Sequence, residues 1–306
     1  MIRLGAVDFD TSHVVEFAKR LLHKDIDKTQ WVEGATLVLA CPGSSHMSPE
    51  RIPGHKDALV KFGVPLVDKP TDLIGKVDGV LIHSLEGGAH LERARPFLEA
   101  GLPCFIDKPF TCSVADAKKI AALSQKHKAP VFTSSSLRYA PELVSFLEDT
   151  AKHGKILGAL SYGPAHLFAQ KPDAPPRNPG LFHYGIHPAE VLYTLMGPGC
   201  LRVTCTHEKT VDVVTGHWKD GRVATLRGLR SGAQNEYGFL AFTEKTTQHV
   251  KIRTTFIYRE LLKQVVRFFQ TGKSPVPLEE SIELMGFLEA ALRSGANHGA
   301  GEKVES

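Results

Sequence analysis

Two histidines and a carboxylate lie close together in the sequence, at a spacing that could do chemistry. His183 and His187 are four residues apart, and Glu190 follows three residues later. On a helix this spacing places the three side chains on one face. Imidazole titrates near neutral pH, so the two histidines could pass a proton to and from a hydroxyl group. Neutral histidines with a carboxylate also suit zinc, and a packed structural histidine beside a pocket-lining one is the alternative without chemistry.

Lys108 is the second candidate for chemistry. It follows an apolar run, residues 104–106, and precedes Pro109. A lysine there would lie at the carboxyl edge of a parallel sheet, where ligands bind in open α/β folds, so we expect a site role. Arg138 and Tyr139 follow the next predicted strand and could bind a polar substrate, with a salt bridge between domains as the alternative for the arginine.

The turn after the first predicted strand lacks the glycines of a dinucleotide-binding fingerprint. In G-x-G-x-x-G the glycines let the backbone approach a diphosphate at the start of a helix. Here Asp8, Asp10 and His13 occupy the three glycine positions. Two carboxylates would repel a diphosphate, so the turn argues against ordinary NAD binding. We expect Asp10, Thr11 or Ser12 to cap the next helix, whereas Asp8, if buried, needs hydrogen-bond partners or a cation.

Two loops could contact ligands. The second predicted strand continues into Pro42-Gly43-Ser44-Ser45, with no acidic residue to bind a ribose 2′-hydroxyl. The serines either accept a 2′-phosphate or form a turn. A proline-rich stretch at 170–180, with His166 just before it, is predicted to be a loop over a cleft that could gate a polyol or sugar.

These residues need elements to position them, and the pattern changes along the chain. Short apolar runs alternate with helical patterns through residues 1–135, which predicts right-handed βαβ units and a parallel sheet. Residues 136–306 contain runs rich in valine, threonine and aromatics, interrupted by a helix from about 183 to 196. The predicted fold class is α/β: a Rossmann-type domain at 1–135, then an α+β domain at 136–306 with a large, mostly antiparallel sheet. The last helices could pack back on the first domain.

Composition excludes several classes of function. The 306 residues are 42% apolar and 23% charged, which is ordinary for a globular protein. The formal net charge of +4 is not concentrated in any basic run, so we expect no nucleic-acid partner. No stretch of eighteen apolar residues occurs, so we expect no membrane partner. Five cysteines without a zinc or redox spacing fit a reducing compartment, and we expect a cytoplasmic protein.

Several motifs, in order along nearly the whole chain, resemble the Gfo/Idh/MocA family of oxidoreductases, which includes glucose-fructose oxidoreductase and inositol dehydrogenase. The first is Ile106-Asp107-Lys108-Pro109-Phe110, where the family has Glu-Lys-Pro. The others are Asp78-Gly79-Val80-Leu81-Ile82 with His90 in the next helix, Arg138-Tyr139-Ala140-Pro141, Gly154-Lys155-Ile156-Leu157-Gly158, Tyr184-Gly185-Ile186-His187, and Ala290-Ala291-Leu292-Arg293-Ser294.

The resemblance implies a site, residue by residue. Lys108 matches a lysine that lies near the nicotinamide and assists proton transfer, and His187 matches the general acid or base on the substrate hydroxyl. His183 stands where family dehydrogenases commonly have aspartate. The resemblance also implies the two-domain fold above and a homodimer or homotetramer.

The sequence therefore predicts an NAD(P)-dependent oxidoreductase that acts on a sugar, polyol or similar substrate. The alternative is a family member without redox chemistry: a sugar-binding protein, or a lyase, epimerase or hydrolase, with a metal at His183, His187 and Glu190. The predicted catalytic residues are Lys108, His187 and His183. The residues predicted to bind NAD or NADP are Asp8, Asp10, Thr11, Ser12, Ser84 and Lys108. The residues predicted to bind substrate are Arg138, Tyr139, His166 and Tyr184.

Overall fold

The structure is a computed structural model that describes residues 1–232 and 235–306. The described residues form two compact units. Unit 1 comprises Met1–Thr111, Ala115–Ser134 and Tyr258–Leu278, and unit 2 comprises Cys112–Val114, Ser135–Ile257 and Glu279–Ser306. The segment Tyr258–Leu278 thus groups with the N-terminal part of the chain, although it follows most of unit 2 in sequence.

Unit 1 is built on a parallel sheet, as predicted. Its strands are β1 (Ile2–Val7), β2 (Ala35–Cys41), β3 (Gly79–Ile82), β4 (Cys104–Ile106) and β5 (Val131–Thr133). They pair in parallel in the order β2-β1-β3-β4-β5. Every residue of β3 and β4 is buried, which is typical of parallel strands covered on both faces.

Helices connect these strands and continue into the second half of the chain. They are α1 (His13–Leu22), α2 (Ile52–Lys61), α3 (His90–Glu99), α4 (Val114–His127), α5 (Pro141–Glu148), α6 (Thr150–His153), α7 (Ile186–Met196), α8 (Ile257–Thr271) and α9 (Leu278–Ala296). In unit 1, α8 buries an apolar stripe: Phe268 contacts the ring of Phe132 in β5, and Phe269 packs directly on Gly79 in β3. The helix of a βαβ unit starts at the carboxyl edge of the parallel sheet, because it follows the end of a strand. The turn between β1 and α1 therefore lies at that edge.

Unit 2 is built on a second, larger sheet. Its strands are β6 (Ile156–Pro164), β7 (Cys200–Glu208), β8 (Val211–Trp218), β9 (Val223–Leu229), β10 (Tyr237–Thr243), β11 (Thr247–Ile252) and β12 (Glu302–Lys303). They pair in the order β11-β10-β6-β9-β8-β7-β12, and only the β6–β9 pair is parallel among the described residues. The predicted mostly antiparallel sheet is therefore confirmed.

Helix α7 is the element of unit 2 that matters most for the site. It is buried over nearly its whole length and packs on β6 and β9. The prediction that a helix begins near His183 is wrong by about one turn: Gly180–Phe182 forms a 3₁₀ turn, and α7 begins at Ile186. Across the described residues, every helix is too short or too polar to cross a bilayer.

Candidate functional site

The turn after β1 places Asp8 in the position of the first fingerprint glycine. Its φ of 65° lies in the left-handed region, which glycine favours and which aspartate tolerates better than most residues. The carboxylate is 1% exposed, and its Oδ2 accepts hydrogen bonds from Ser84 Oγ and from Arg93 Nε, the latter at 2.7 Å. Asp8 Oδ2 thus has buried partners and Arg93 compensates the charge, whereas Asp8 Oδ1 is buried and accepts no hydrogen bond from the described residues.

Asp10, at the second glycine position, also turns inward. It is 2% exposed, and its Oδ1 accepts the Leu85 N–H at 3.0 Å. Burial raises the pKa of the Asp10 carboxyl, while hydrogen bonds from Ser45 and Leu85 oppose that rise. The capping prediction is wrong for two residues, since Asp10 bonds elsewhere and Ser12, which stands at the N-cap of α1, makes no side-chain cap hydrogen bond. Thr11 Oγ1 lies 3.5 Å from the His13 N–H, at the limit of a hydrogen bond.

His13, at the third glycine position, forms a buried hydrogen bond with Asp107. His13 Nδ1 lies 2.5 Å from Asp107 Oδ2, and His83 Nδ1 lies 3.5 Å from the same oxygen. Burial alone would raise the pKa of the Asp107 carboxyl, but His13 and His83 hold it well below its usual range.

Lys108 follows β4 at the carboxyl edge of the sheet, as predicted. Its side chain is almost fully buried, and its backbone N–H donates to Asp107 Oδ1 at 2.7 Å. Burial lowers the pKa of the Lys108 ammonium, and the neighbouring Asp107 carboxylate only partly offsets this. A lysine with a lowered pKa gives up its proton more readily than a surface lysine does, which suits proton transfer.

In unit 2, His187 lies in the first turn of α7 and is held by a serine. Its Nδ1 lies 2.7 Å from the hydroxyl oxygen of Ser135, and both residues are buried. The rings of Tyr184 and Tyr237 approach the imidazole edge-on, with centroids 5.9 and 6.0 Å away. An imidazole fixed at one nitrogen can exchange a proton at the other, so the arrangement suits a general acid or base.

Glu190, one turn further along α7, belongs to a buried ion triad. Its Oε2 accepts from Arg138 Nε at 2.7 Å, and its Oε1 accepts the Ser135 N–H at 3.0 Å. Arg138 also donates from Nη1 to Glu280 at 2.7 Å. The guanidinium is 9% exposed, and although burial lowers its pKa, Glu190 and Glu280 raise it above its ordinary value. The salt bridges of Arg138 lie within unit 2, which corrects the alternative of a bridge between domains, and they occupy donors that the prediction assigned to substrate.

The other predicted residues of unit 2 form a chain of rings. His183 precedes α7 and contacts the rings of Phe168 and Tyr184, at 5.7 and 5.1 Å between centroids. His166 contacts Tyr184 at 5.3 Å. These side chains are half-buried, as is Tyr139. Aromatic and imidazole rings of this kind often line pockets for small polar ligands.

The alternative prediction of a metal site is not supported by this geometry. His183 and His187 do not share a helix face, because α7 begins after His183, and Glu190 is engaged by Arg138 and Ser135. Within residues 1–232 and 235–306, His, Cys, Asp and Glu side chains form no group of three or more that could hold a metal ion.

The residues of these networks that were not among the predicted site residues include Arg93, Asp107, Ser135 and Glu280. Asp107 lies in the Ile106–Phe110 motif of the sequence analysis, and its position next to Lys108 could have identified it as a site residue. The other three meet partners 52 to 142 residues away in the chain, so no local pattern marks them.

The turn can be tested against the dinucleotide that its fold implies. Asp8 and Asp10 are buried, and each carboxylate accepts hydrogen bonds from the protein at one of its oxygens. Arg93 compensates the charge of Asp8. Ser12 is exposed and leaves the first N–H groups of α1 uncapped by its side chain. The residues present therefore fit a diphosphate at the start of α1.

Comparison with known proteins agrees with this geometry. Residues 46–135 match the model of the Gfo/Idh/MocA family, an oxidoreductase family with an NAD-binding Rossmann fold. The match begins beyond the turn at residues 8–13. A curated relative, YceM of Salmonella typhimurium strain LT2, an oxidoreductase by name, is 30% identical over 78 residues. That alignment covers 26% of this chain and spans about a quarter, 25%, of the relative's length.

Solved structures share the fold over the whole chain. The scyllo-inositol dehydrogenase of Lactobacillus casei, solved with NAD(H) and scyllo-inositol, has a TM-score of 0.80 at 16% identity and covers 100% of both chains. The myo-inositol 2-dehydrogenase of Lactobacillus plantarum has a TM-score of 0.80 at 16% identity, with 99% of each chain covered. GenD2 from gentamicin A biosynthesis, in complex with NAD, has a TM-score of 0.79 at 15% identity, covering 100% of this chain and 97% of that one. Residues 46–135 are thus similar in sequence to the Gfo/Idh/MocA family of oxidoreductases, and the whole chain is similar in fold to inositol dehydrogenases.

Proposed function

We propose that this protein is an NAD(P)-dependent oxidoreductase that interconverts a secondary alcohol and a ketone on a sugar, polyol or related substrate. The observation that carries the proposal is the almost fully buried Lys108, with a lowered pKa, at the carboxyl edge of the Rossmann sheet. Ligands of open α/β folds bind at this edge. The substrate class is suggested by inositol dehydrogenases that share the fold.

Unit 1 would hold the cofactor. The N–H groups in the first turn of α1, next to Thr11 and Ser12, would bind the diphosphate. Asp8 and Ser84, which bond to each other, and Asp10 would shape the turn beneath it. The nicotinamide, when bound, supplies the hydride acceptor for the carbinol carbon.

The protein's own residues would handle the proton. When the alcohol loses a hydride, its hydroxyl must also lose a proton, and we assign that proton to His187 Nε2, since Nδ1 is held at Ser135. Lys108 would assist, because its lowered pKa eases the gain and loss of an ammonium proton. The rings of His183, Tyr184 and His166 would contact the substrate, together with Tyr139.

A non-redox family member remains the second candidate, and one specific observation favours it. Aspartates occupy two of the glycine positions of the turn, and the family match starts only after it. Such a protein would bind a sugar, or convert it without hydride transfer, and would not require exchangeable nicotinamide.

The test is a titration of the protein with NADH and NADPH, followed by fluorescence and calorimetry. Micromolar binding is the expected result, and inositols and sugars would then be screened for hydride transfer. Lys108→Ala and His187→Ala are expected to abolish turnover, whereas Lys76→Ala, which changes an exposed lysine, is the matched control. An absence of binding up to millimolar concentrations would reject the oxidoreductase and leave the non-redox candidate.

We further propose that the chain forms a homodimer or homotetramer, on the basis of its family. Gel filtration with light scattering tests this proposal, and a monomer at micromolar concentration would contradict it.

A further inference from the structure

A cavity of about 280 Å³ lies wholly within unit 2, beside the large sheet. Its walls come from β7, β8, the end of α9 and the 3₁₀ turn at Gly180–Phe182. The residues that line it include none of the predicted site residues. A dry cavity of about 150 Å³ is large enough to hold benzene. This cavity therefore has room for a molecule of one or two rings.

The walls of the cavity are mostly apolar. Leu181, Ala291 and Leu292 supply much of this surface. Gly295 also lines the cavity, and a Cβ at that position would lie only 3.0 Å from His207 Cβ. A side chain at 295 would thus extend into the space between α9 and β7. Apolar walls favour a ligand that is itself largely apolar.

One polar group of the lining has a ring nitrogen to offer a ligand. His207 Nδ1 lies 2.5 Å from Asp212 Oδ1. An ionised carboxylate can only accept, so we assign the ring hydrogen of neutral His207 to Nδ1, which leaves Nε2 as an acceptor. Arg230 donates to both oxygens of Asp212, at 2.6 and 3.1 Å, and compensates its charge. The His207 side chain is 48% exposed, so a ligand can reach it.

We propose that this cavity is a binding site for a small, neutral, mostly apolar molecule of one or two rings that carries a hydroxyl group. The hydroxyl donates to His207 Nε2, and the ring packs against Leu181 and Ala291. An anionic ligand is disfavoured because the Asp212 carboxylate forms part of the wall. The site does not depend on the proposed oxidoreductase activity.

The test is the binding of phenol to the protein labelled with ¹⁵N-histidine. Calorimetry gives the affinity, and the His207 ring signals, identified by their loss in His207→Phe, show where phenol binds. Phenol is expected to bind at millimolar concentrations or below and to shift the His207 signals. Toluene has a similar size and no hydroxyl, and benzoate carries a charge, so they are the comparison ligands. Benzoate is expected to bind more weakly than phenol.

The variant His207→Phe keeps a ring but removes the acceptor. It should weaken the binding of phenol relative to toluene by about three- to tenfold, which is the usual net contribution of one hydrogen bond. Asp212 keeps Arg230 in this variant, so no buried charge loses all its partners. His217→Phe is the matched control, because His217 lies on the opposite face of β8 from Asp212 and should leave the ratio unchanged.

Filling the cavity tests the location of the site. Ala291→Leu adds side-chain volume to the wall and should abolish phenol binding, and Ala296→Leu, another lining position, replaces it if circular dichroism shows that Ala291→Leu does not fold. Phenol binding retained in a folded variant, His207 signals that phenol does not move, or a phenol-to-toluene ratio unchanged in His207→Phe would overturn the proposal. An absence of phenol binding at millimolar concentrations, or tighter binding of benzoate, would also overturn it.

Discussion

The buried triad of Arg138, Glu190 and Glu280 gives a prediction that can be worked from the geometry. Glu190→Gln replaces two acceptor oxygens by one acceptor and one donor. In the wild type, both oxygens of the Glu190 carboxylate accept hydrogen bonds, from Arg138 Nε at 2.7 Å and from the Ser135 N–H at 3.0 Å. Whichever way the amide turns, one of these donors meets an N–H₂ group, so the substitution breaks a bond and also removes a charge.

The magnitude follows from burial. Breaking a buried ion pair by removing one partner costs about 3–5 kcal/mol. Arg138 keeps Glu280, so we expect the lower end, about 3 kcal/mol. Glu280→Gln is the matched control, since Glu280 receives one arginine bond in this triad, at 2.7 Å, and its side chain is 12% exposed against 7% for Glu190. For the control we expect about 1–2 kcal/mol.

Thermal unfolding followed by calorimetry and circular dichroism measures both variants. At about 2–4 °C per kcal/mol, Glu190→Gln should lower the Tm by about 6–12 °C, and the control by about 2–8 °C. A loss below about 1 kcal/mol for Glu190→Gln, or a larger loss for Glu280→Gln, would refute the claim that Glu190 is the centre of the triad.

Three further predictions concern unit 1. The Asp107 carboxyl has a depressed pKa in the folded state, so the ionised carboxylate stabilises the protein at a pH above its pKa in the unfolded chain, about 3.9. This stabilisation is lost as the pH falls from there through the folded pKa. The Tm advantage of the wild type over Asp107→Asn should therefore shrink below about pH 4, and an advantage constant down to pH 3 would contradict this. His13→Gly and Asp107→Glu should each destabilise. The double variant, which has the glycine and glutamate of the motifs that these stretches resemble, should recover about 1 kcal/mol or more relative to additivity in urea unfolding, and strict additivity would show that the pair is uncoupled. Gly79→Ala would place a Cβ 2.3 Å from Phe269 Cε1 and should lower the free energy of unfolding by about 1–3 kcal/mol. The control is Gly54→Ala in α2, where no atom lies within 4 Å of the new Cβ, and it should be neutral or stabilise the protein by up to about 1 kcal/mol. Equal effects of the two substitutions on the Tm would contradict the packing argument.

Much of the fold could be predicted because it depends on local periodicity. The alternation of apolar runs and helical patterns predicts strands and helices in residues 1–135, and the structure has β1 at residues 2–7, α1 at 13–22 and α4 at 114–127. Apolar runs of period near two or 3.6 bury one face whatever the distant partners are, so they identify strands and helices. The position of Lys108 follows from the same logic, since a residue just after a parallel strand must lie at the carboxyl edge.

The local sequence pattern gave the wrong start for helix α7. The spacing of His183 and His187 suggested one helix face, but α7 begins at Ile186, after a 3₁₀ turn at Gly180–Phe182. Helix boundaries depend on how the first turn is capped and packed, and the five residues from 183 to 187 fit either conformation. The predicted metal site depended on that helix face.

What the sequence by itself determined is the set of chemical groups and the sheet edge at which they stand; what only the tertiary structure decided is which group meets which. Asp8 could have been an isolated charge in the turn, but Arg93, 85 residues away, is its partner. His187 could have been paired with His183, but Ser135, 52 residues earlier, holds it. Buried polar groups must find hydrogen-bond partners, and those partners are set by strand order and helix packing rather than by neighbours in the chain.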